Sequence, residues 1–250
     1  MSKRYVSSSM LIALAVLVFG FSRPAVYKVA PVVNGASILG AVNFKGDLPS
    51  PRKILIAKDN DICGSGSREI QWVLNAEGGK GLMNVAVYLE KIDKGKEWQK
   101  PKDGYLLNQE GCRFIPEFFA VPNGESLRIV NSDPTLHNIH TYEMIGRARR
   151  TMFNVGQPEK GFEFTKPIRT RRGNTVKVEC DAHNFMHAWI FVPQNPYYAL
   201  VDKKGEYRIG DIPAGTYTVK AWHPTLGVKE SEVTLAAGQQ MTLNFEFSSR

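Results

Sequence analysis

Three side chains that commonly bind metals stand close together in the second half of the chain. Cys180, His183 and Met186 supply a thiol, an imidazole and a thioether in the spacing Cys-x2-His-x2-Met. Ligands of such different softness on one short loop can converge on a single ion, and this set suits copper in an electron-transfer site. One more imidazole is needed, and His137 can supply it from an upstream strand.

Each of these residues also has an ordinary structural explanation when taken alone. Met186 could be core and Cys180 could be an inert buried thiol. The joint spacing, together with His137, favours the metal. Alternation along a strand places His140 on the face opposite His137, and His187 points away from Met186 for the same reason, so neither is expected to be a ligand. The remaining His223 is expected to be structural.

The elements that must position these residues are short strands separated by turns. Strand-like segments lead into and out of the motif at 114–121, 126–130, 175–180 and 188–192. The C-terminal part alternates in the same way at 206–209, 216–222, 233–235 and 241–247. No helical period follows the first 30 residues. The sequence therefore predicts an all-β chain built from β-sandwiches.

The metal-ligand pattern resembles the cupredoxin family of the amicyanin and plastocyanin type. The resemblance covers residues 105–193 and rests on the Cys-x2-His-x2-Met loop, on His137-Asn138-Ile139-His140, on Phe114-x-Pro116 and on Val130-Asn131 after the Gly124 turn. It implies a Greek-key sandwich whose type-1 copper is held by His137, Cys180, His183 and Met186. It also implies that Asn138 tethers the ligand loops, because hydrogen bonds outside the ligands fix their orientation.

Two residues depart from the pattern of that family. Asn184 stands where amicyanin-like loops carry proline, and His187 follows the methionine where another residue type is usual. These departures bear on the redox potential and the partner more than on the identity of the metal.

A second resemblance covers the C-terminal residues 194–250. The pattern resembles the second half of a carboxypeptidase-regulatory-like, or transthyretin-like, sandwich: Asp202-x2-Gly205-x-Tyr207-x-Ile209, then Ile212-Pro213-x-Gly215-x-Tyr217-x-Val219. The first half of that pattern appears at 40–42 and 84–88. The resemblance implies a scaffold sandwich made of residues 36–102 and 194–250. The copper domain, residues 103–193, would be inserted in it or joined to it.

The N-terminus has the features of an export signal. Lys3 and Arg4 precede an apolar run at 10–21 that is too short to span a bilayer comfortably. A small-x-small cleavage site is hard to place, so residues 1–30 are interpreted as either a signal peptide or a short membrane anchor. The predicted location is periplasmic or otherwise extracytoplasmic, with membrane contact only through that anchor.

Export bears on the three cysteines of the chain. In an oxidising compartment two cysteines can pair and one is left over. If Cys180 binds copper, Cys63 and Cys112 are available to form a disulfide. The alternative is a pair of buried free thiols.

The net charge of +8 is concentrated in two arginine clusters, Arg147, Arg149 and Arg150, and Arg169, Arg171 and Arg172. An exported chain without a recognition motif is not expected to bind nucleic acid. An acidic redox protein such as a cytochrome or a dehydrogenase suits this charge, as does an anionic membrane. The alternative is a basic face that only keeps the protein soluble.

Taken together, these features predict a carrier of single electrons between redox partners and not an enzyme. The His183 and Met186 edge of the site is expected to give the partner access. Two alternatives remain open: a periplasmic copper-binding sensor or delivery protein, and a β-sandwich interaction module without metal. A multicopper oxidase is disfavoured because the sequence lacks paired His-x-His motifs.

Overall fold

The computed structural model describes residues 27–77, 79 and 81–249, and these residues are almost entirely β-structure. In chain order the elements are β1 (Lys28–Val29), β2 (Ala36–Lys45), β3 (Arg52–Leu55), α1 (Asn60–Cys63), β4 (Ser67–Ile70), β5 (Ala86–Leu89), β6 (Lys94–Gly95), β7 (Tyr105–Gln109), β8 (Phe114–Ile115), β9 (Phe118–Ala120), β10 (Ser126–Asn131), β11 (His137–Ile145), β12 (Ala148–Gln157), β13 (Glu163–Pro167), β14 (Thr175–Glu179), β15 (His187–Phe191), β16 (Tyr198–Leu200), β17 (Glu206–Ile212), β18 (Gly215–His223), β19 (Gly227–Leu235), β20 (Gln240–Thr242) and β21 (Phe245–Ser248). The all-β prediction is confirmed.

The first 26 residues, which hold most of the predicted signal or anchor, lie outside the described part of the chain. Among the residues that are described, no helix combines the length and the apolar character needed to cross a membrane.

Two sheets form the first sandwich, which carries the candidate ligands. One sheet has the strand order β13-β10-β7-β8, and the other has the order β12-β11-β14-β15-β9. Strand alternation turns the apolar side chains inward, as with Leu127 and Ile129 of β10 and Val176 and Val178 of β14, all fully buried. The core between the sheets therefore reaches the end of β14, where the ligand loop begins.

Strands from both ends of the chain form the second sandwich. One sheet has the order β17-β2-β20, with β21 also paired to β2, and the other has the order β16-β5-β18-β19. Its core contains Ile38, Val87, Val219 and Phe247. Because β2 and β5 precede the strands of the first sandwich in the chain and β16 follows them, the first sandwich lies between two parts of the second in the sequence.

Residues 52–70, which comprise β3, α1 and β4, do not pack as the sequence analysis assumed. They fall within the segment 36–102 assigned to the scaffold sandwich, yet Ile54, Ile56 and Cys63 are buried in the core of the first sandwich. A disulfide between Cys63 and Cys112 joins them to that sandwich, which confirms the predicted pairing. We call residues 52–70 the cap, because they cover one side of the candidate ligands.

An aromatic cluster joins the two sandwiches. Trp189 and Phe191 project from the outer face of β15 toward Trp222 of β18, with ring centroids 5.9 Å and 6.3 Å from that indole. Phe118 stacks on the same indole at 6.0 Å, and Tyr88 lies 4.9 Å from Phe191. Large aromatic side chains bury much apolar surface at low entropic cost, so this cluster holds the sandwiches together.

Glu143, near the far end of β11, draws the two arginine clusters together. Its buried carboxylate accepts hydrogen bonds from the backbone N–H groups of Arg171, Arg172 and Gly173 at 2.7–2.8 Å. The other oxygen accepts from Nε of Arg150 at 2.9 Å. Arg147 and Arg149 occupy the adjoining β11–β12 hairpin and Arg169 the opposite loop, so the clusters form one surface, which we call the basic end.

Replacing Glu143 with glutamine should lower the free energy of unfolding by about 2–3 kcal/mol at pH 7, since hydrogen bonds to a charged acceptor are lost. Burial alone would raise the pKa of this carboxyl, but the N–H groups of Arg172 and Gly173 and the Arg150 side chain lower it to about 2. Because the pKa of Glu143 is lower in the folded chain than in the unfolded chain, the ionised carboxylate stabilises the fold at pH values above the ordinary carboxyl pKa. That stabilisation is lost as the pH falls toward 2.

Urea unfolding of wild type and Glu143→Gln at pH 7, 5 and 3 measures this effect. The difference between them should be nearly constant from pH 7 to 5 and smaller at pH 3. Glu163→Gln is the control, since Glu163 forms an exposed pair with Arg128 at 3.3 Å, and it should change stability by less than about 1 kcal/mol. A Glu143→Gln effect as small as that of the control would contradict the role of Glu143.

Candidate metal centre

The candidate ligands lie at one end of the first sandwich. His137 is the first residue of β11, and Cys180 immediately follows the last residue of β14. Inward alternation along β14 continues from Val178 to Cys180, which turns the thiol into the core. The loop from β14 to β15 then carries His183 back over the same end.

Three donor groups meet there. One donor atom each from His137, Cys180 and His183 lies within 4.8 Å of the others, and all three side chains are buried. The two Nδ1 atoms are 3.0 Å apart, and the Cys180 Sγ lies 3.7 Å from Nδ1 of His183. Met186 is buried in the core that also contains Cys180, and its backbone N–H donates to the His183 carbonyl at 2.9 Å.

Each imidazole has a carboxylate on its outer nitrogen. Nε2 of His137 lies 2.8 Å from Oδ2 of Asp133, and Nε2 of His183 lies 2.8 Å from Oδ2 of Asp59. A ring that donates through Nε2 keeps a lone pair on Nδ1, and the two Nδ1 atoms lie 3.0 Å apart. A cation between them satisfies both, so the donor set fits a metal ion. A thiol and two imidazoles, with the thioether of Met186 on the same loop, form a set that suits copper.

Asp133 is held rigidly beside His137. Its carboxylate accepts the backbone N–H groups of Gly111 and Cys112 at 2.7 and 2.8 Å, and its own N–H donates to Asn131 Oδ1 at 2.9 Å. Burial lowers the pKa of His137, and this effect exceeds the opposing hydrogen bond to Asp133. The ring is therefore neutral near pH 7, which is the protonation state a metal requires.

Asn138 ties the ligand loop to β11, as the resemblance implies. Its Oδ1 accepts the backbone N–H groups of Asp181 at 2.6 Å and Ala182 at 3.1 Å, and its own N–H donates to the Cys180 Sγ at 3.5 Å. Burial raises the pKa of the Cys180 thiol, although the N–H of Asn138 acts in the opposite direction. A bound cation would supply the charge that favours the thiolate.

The other three histidines lie away from this cluster. His140 projects from the outer face of β11 to Asp181, with Nδ1 3.1 Å from the carboxylate. His187 has its Nδ1 3.9 Å from Glu179, on the same outer face. His223 is buried in the second sandwich, where its Nδ1 accepts backbone N–H groups, and burial lowers its pKa to about 4.

The cap closes the side of the site that was expected to be open. Asp59 precedes α1 in a left-handed conformation and covers His183, whose side chain has no exposed surface. Arg68 of the cap donates to the carbonyls of Cys63 at 3.0 Å and Gly111 at 3.2 Å, and its guanidinium lies 4.9 Å from the Phe185 ring centroid. The expectation of an accessible His183 edge is therefore wrong.

The two carboxylates and the arginine that support the site were not predicted from the sequence. Asp133 had a usable signal, because it lies four residues before His137 and two residues after the end of β10. Asp59 lies 124 residues from His183 in the chain, and no local pattern connects the two. Arg68 likewise meets Phe185 only through the folding of the cap.

Solved structures similar to this chain include several copper proteins. A point mutant of amicyanin in its reduced Cu(I) form is 16% identical and aligns over 38% of this chain and 87% of that one, with a TM-score of 0.30. A purple cupredoxin from Nitrosopumilus maritimus is 16% identical over 36% of this chain and 99% of that one, also with a TM-score of 0.30. A copper-containing nitrite reductase from Thermus scotoductus SA-01 is 15% identical over 42% of this chain and 25% of that one, again with a TM-score of 0.30.

At the level of sequence the comparison is narrower. No curated protein matches the chain. Residues 189–248 match the family model described as the carboxypeptidase regulatory-like domain. This segment begins in β15 and includes β16–β21 of the second sandwich.

Proposed function

We propose that this protein is an exported type-1 copper protein that carries single electrons between redox partners and catalyses no reaction of its own. The observation that supports this most is the convergence of His137, Cys180 and His183, whose two Nδ1 atoms lie 3.0 Å apart. Two buried imidazoles and a thiol this close together form a donor set that one metal ion can share.

The residues of the chain would hold the metal and keep the site rigid. His137, Cys180, His183 and Met186 are the proposed ligands, and copper bound there would supply the Cu(I)/Cu(II) couple. The two aspartates fix both rings, and Asn138 fixes the loop that carries the cysteine. Rigid ligands reduce the rearrangement that accompanies a change of oxidation state.

The closed site favours an electron carrier over a delivery protein or sensor. A delivery protein must release its metal, whereas these imidazoles and the thiol are buried and the cap is held by the disulfide between Cys63 and Cys112. The same burial separates the ligand side chains from solvent. An electron needs neither an open coordination position nor a pocket.

The disulfide also supports the proposed location. Structural disulfides persist in oxidising compartments, so the bond between Cys63 and Cys112 is consistent with a periplasmic or other extracytoplasmic protein.

An acidic redox protein, such as a cytochrome or a dehydrogenase, is the proposed partner. The basic end gathers all six arginines of the two clusters. In the described part of the chain, Arg147, Arg169, Arg171 and Arg172 form no ion pair, so their charges remain available to a partner. Such a surface would speed association with an acidic protein, and salt would weaken the effect.

Titration of the purified metal-free protein with Cu(II) tests the proposed function. One equivalent should produce strong visible absorption from charge transfer between the thiolate and Cu(II), and a reductant should remove the colour reversibly. Zn(II) is the control, because it can occupy the same ligands without producing colour. A protein that binds no copper, or binds it without visible absorption, would rule out a type-1 site.

A further inference from the structure

The cap restricts how a partner can approach the metal centre. On that side Asp59 lies over the fully buried His183 side chain, and the Asp59 carboxylate itself is partly exposed at 34%. A partner that contacted the ring itself would have to displace residues held by a disulfide and by the hydrogen bonds of Arg68.

A second way out of the site begins at Cys180 and follows the outer face of the sheet. The backbone N–H of Asn138 donates to the Cys180 sulfur at 3.5 Å, and the side-chain Nδ2 of the same residue donates to Oδ2 of Asp181 at 3.1 Å. The same Asp181 oxygen lies 3.1 Å from Nδ1 of His140. An unbroken series of hydrogen bonds therefore connects the sulfur ligand to a histidine on the outer face.

The series continues through aromatic rings. His140 stacks on Tyr142 with ring centroids 4.1 Å apart and planes inclined by 28°, and the tyrosine OH lies 2.8 Å from His140 Nδ1. The guanidinium of Arg149 then lies 4.6 Å from the centroid of the Tyr142 ring. Outward alternation of His140 and Tyr142 along β11 places both rings on the same face.

This path ends at the basic end, which the ligands themselves do not reach. Glu143, the centre of the basic end, is six residues from His137 along β11, a separation of about 20 Å. Arg149 is the arginine of that surface that touches the path, and it also pairs with Glu179 at 3.3 Å. A partner drawn to the arginines would therefore meet the end of the path and not the ligands.

We propose that the acidic partner docks against Arg149, which lies over the buried Tyr142 ring, and that the electron passes to it by tunnelling through Asp181, His140 and Tyr142. This inference rests on the proposed function and specifies its docking surface. Copper held by the proposed ligands would supply the electron by passing from Cu(I) to Cu(II), and a one-electron acceptor in the partner, such as an oxidised haem iron, would be reduced by it. His140 and Tyr142 keep their protons and their oxidation states. Electronic coupling falls steeply across empty gaps, and hydrogen bonds and stacked rings replace such gaps along this path.

The first test maps the docking surface on the metal-free protein, so that it does not depend on copper chemistry. Hexacyanochromate(III), an inert paramagnetic anion, should broaden the NMR signals of Tyr142 and Arg149 and leave those of Asp59 sharp. Arg149→Gln should weaken the broadening at Tyr142. Broadening centred on the cap would overturn the proposal.

The second test measures electron transfer from the reduced, copper-loaded protein to hexacyanoferrate(III) by stopped flow. Tyr142→Leu should slow the reaction about tenfold, equivalent to about 1.4 kcal/mol of barrier, while Tyr142→Phe, which keeps the ring, should stay close to wild type. Arg149→Gln should slow it at low ionic strength and match wild type at high ionic strength. Lys53→Gln is the matched control, because it removes one positive charge from the cap and should have no effect.

The visible spectrum of each variant separates this proposal from the proposed function. A Tyr142→Leu protein with wild-type colour and wild-type rate would overturn the path and leave the copper site standing. If Tyr142→Leu fails to fold, the Arg149→Gln and Lys53→Gln pair decides, since slowing by Lys53→Gln without slowing by Arg149→Gln would place docking on the cap, and equal slowing in both would show that docking prefers neither surface. Absence of colour in the wild type would remove the proposed function, and the NMR map would still report which surface attracts an anion.

Discussion

Cys180→Ala is expected to abolish the visible absorption that Cu(II) gives to the wild-type protein. The colour of a type-1 site arises from charge transfer between the thiolate and Cu(II), and the three cysteines of the chain leave only Cys180 unpaired. The alanine variant should still fold, because a small buried side chain is replaced by a smaller one. A titration with Cu(II), followed by absorption spectroscopy, measures the effect.

The neighbouring ligands should respond in a graded way. His137→Ala and His183→Ala should weaken copper binding and distort the spectrum, since each removes a strong ligand. Met186→Leu should retain copper and mainly change the reduction potential, because the axial bond is long and weak. These three variants together distinguish a type-1 site from a thiol that binds copper by itself.

The controls for this series are the histidines on the outer face. His140→Ala and His187→Ala should leave the spectrum nearly unchanged, because neither ring points toward the other donors. A Cys180→Ala protein with the wild-type colour would exclude the ligand assignment. A loss of colour in His140→Ala but not in His137→Ala would instead show that His140, and not His137, is the ligand.

Removal of the disulfide is expected to have the second large effect, on stability and on metal retention. The bond joins cysteines 49 residues apart, and loop entropy predicts that Cys63→Ala with Cys112→Ala lowers the free energy of unfolding by about 4 kcal/mol. The cap would then lose its covalent link to the first sandwich. Urea unfolding and the rate of bleaching by a copper chelator measure the two effects, and both should show a clear loss in the double variant.

Asp59→Asn is the matched comparison, because it keeps the disulfide and removes only the carboxylate beside His183. It should accelerate copper loss to a smaller extent and change the stability much less than the double variant does. Alkylation of the unfolded, unreduced wild type should label one thiol, that of Cys180. Three labelled thiols, or a double variant that retains copper as wild type does, would contradict the role assigned to the cap.

Local sequence patterns predicted the strands and the arrangement of the candidate ligands. The spacing from Cys180 to Met186 places three ligand types on one loop whatever the rest of the fold, and alternation along β11 separates His137 from His140. These features depend on residues within a few positions of one another. The strand alternation and the ligand spacing therefore predict these features without reference to any long-range contact.

Tertiary structure alone decided what surrounds the ligands. Asp59 meets His183 across 124 residues, and the cap packs on the first sandwich although its neighbours in the chain belong to the second. Glu143 likewise brings two arginine clusters together from separate loops. Such contacts join residues that are far apart in the sequence and that no hydrophobic period relates. They form because the folded sheets leave buried charges and apolar side chains that need partners. For that reason the sequence indicated a metal site with an open edge, and the folded chain closes that edge.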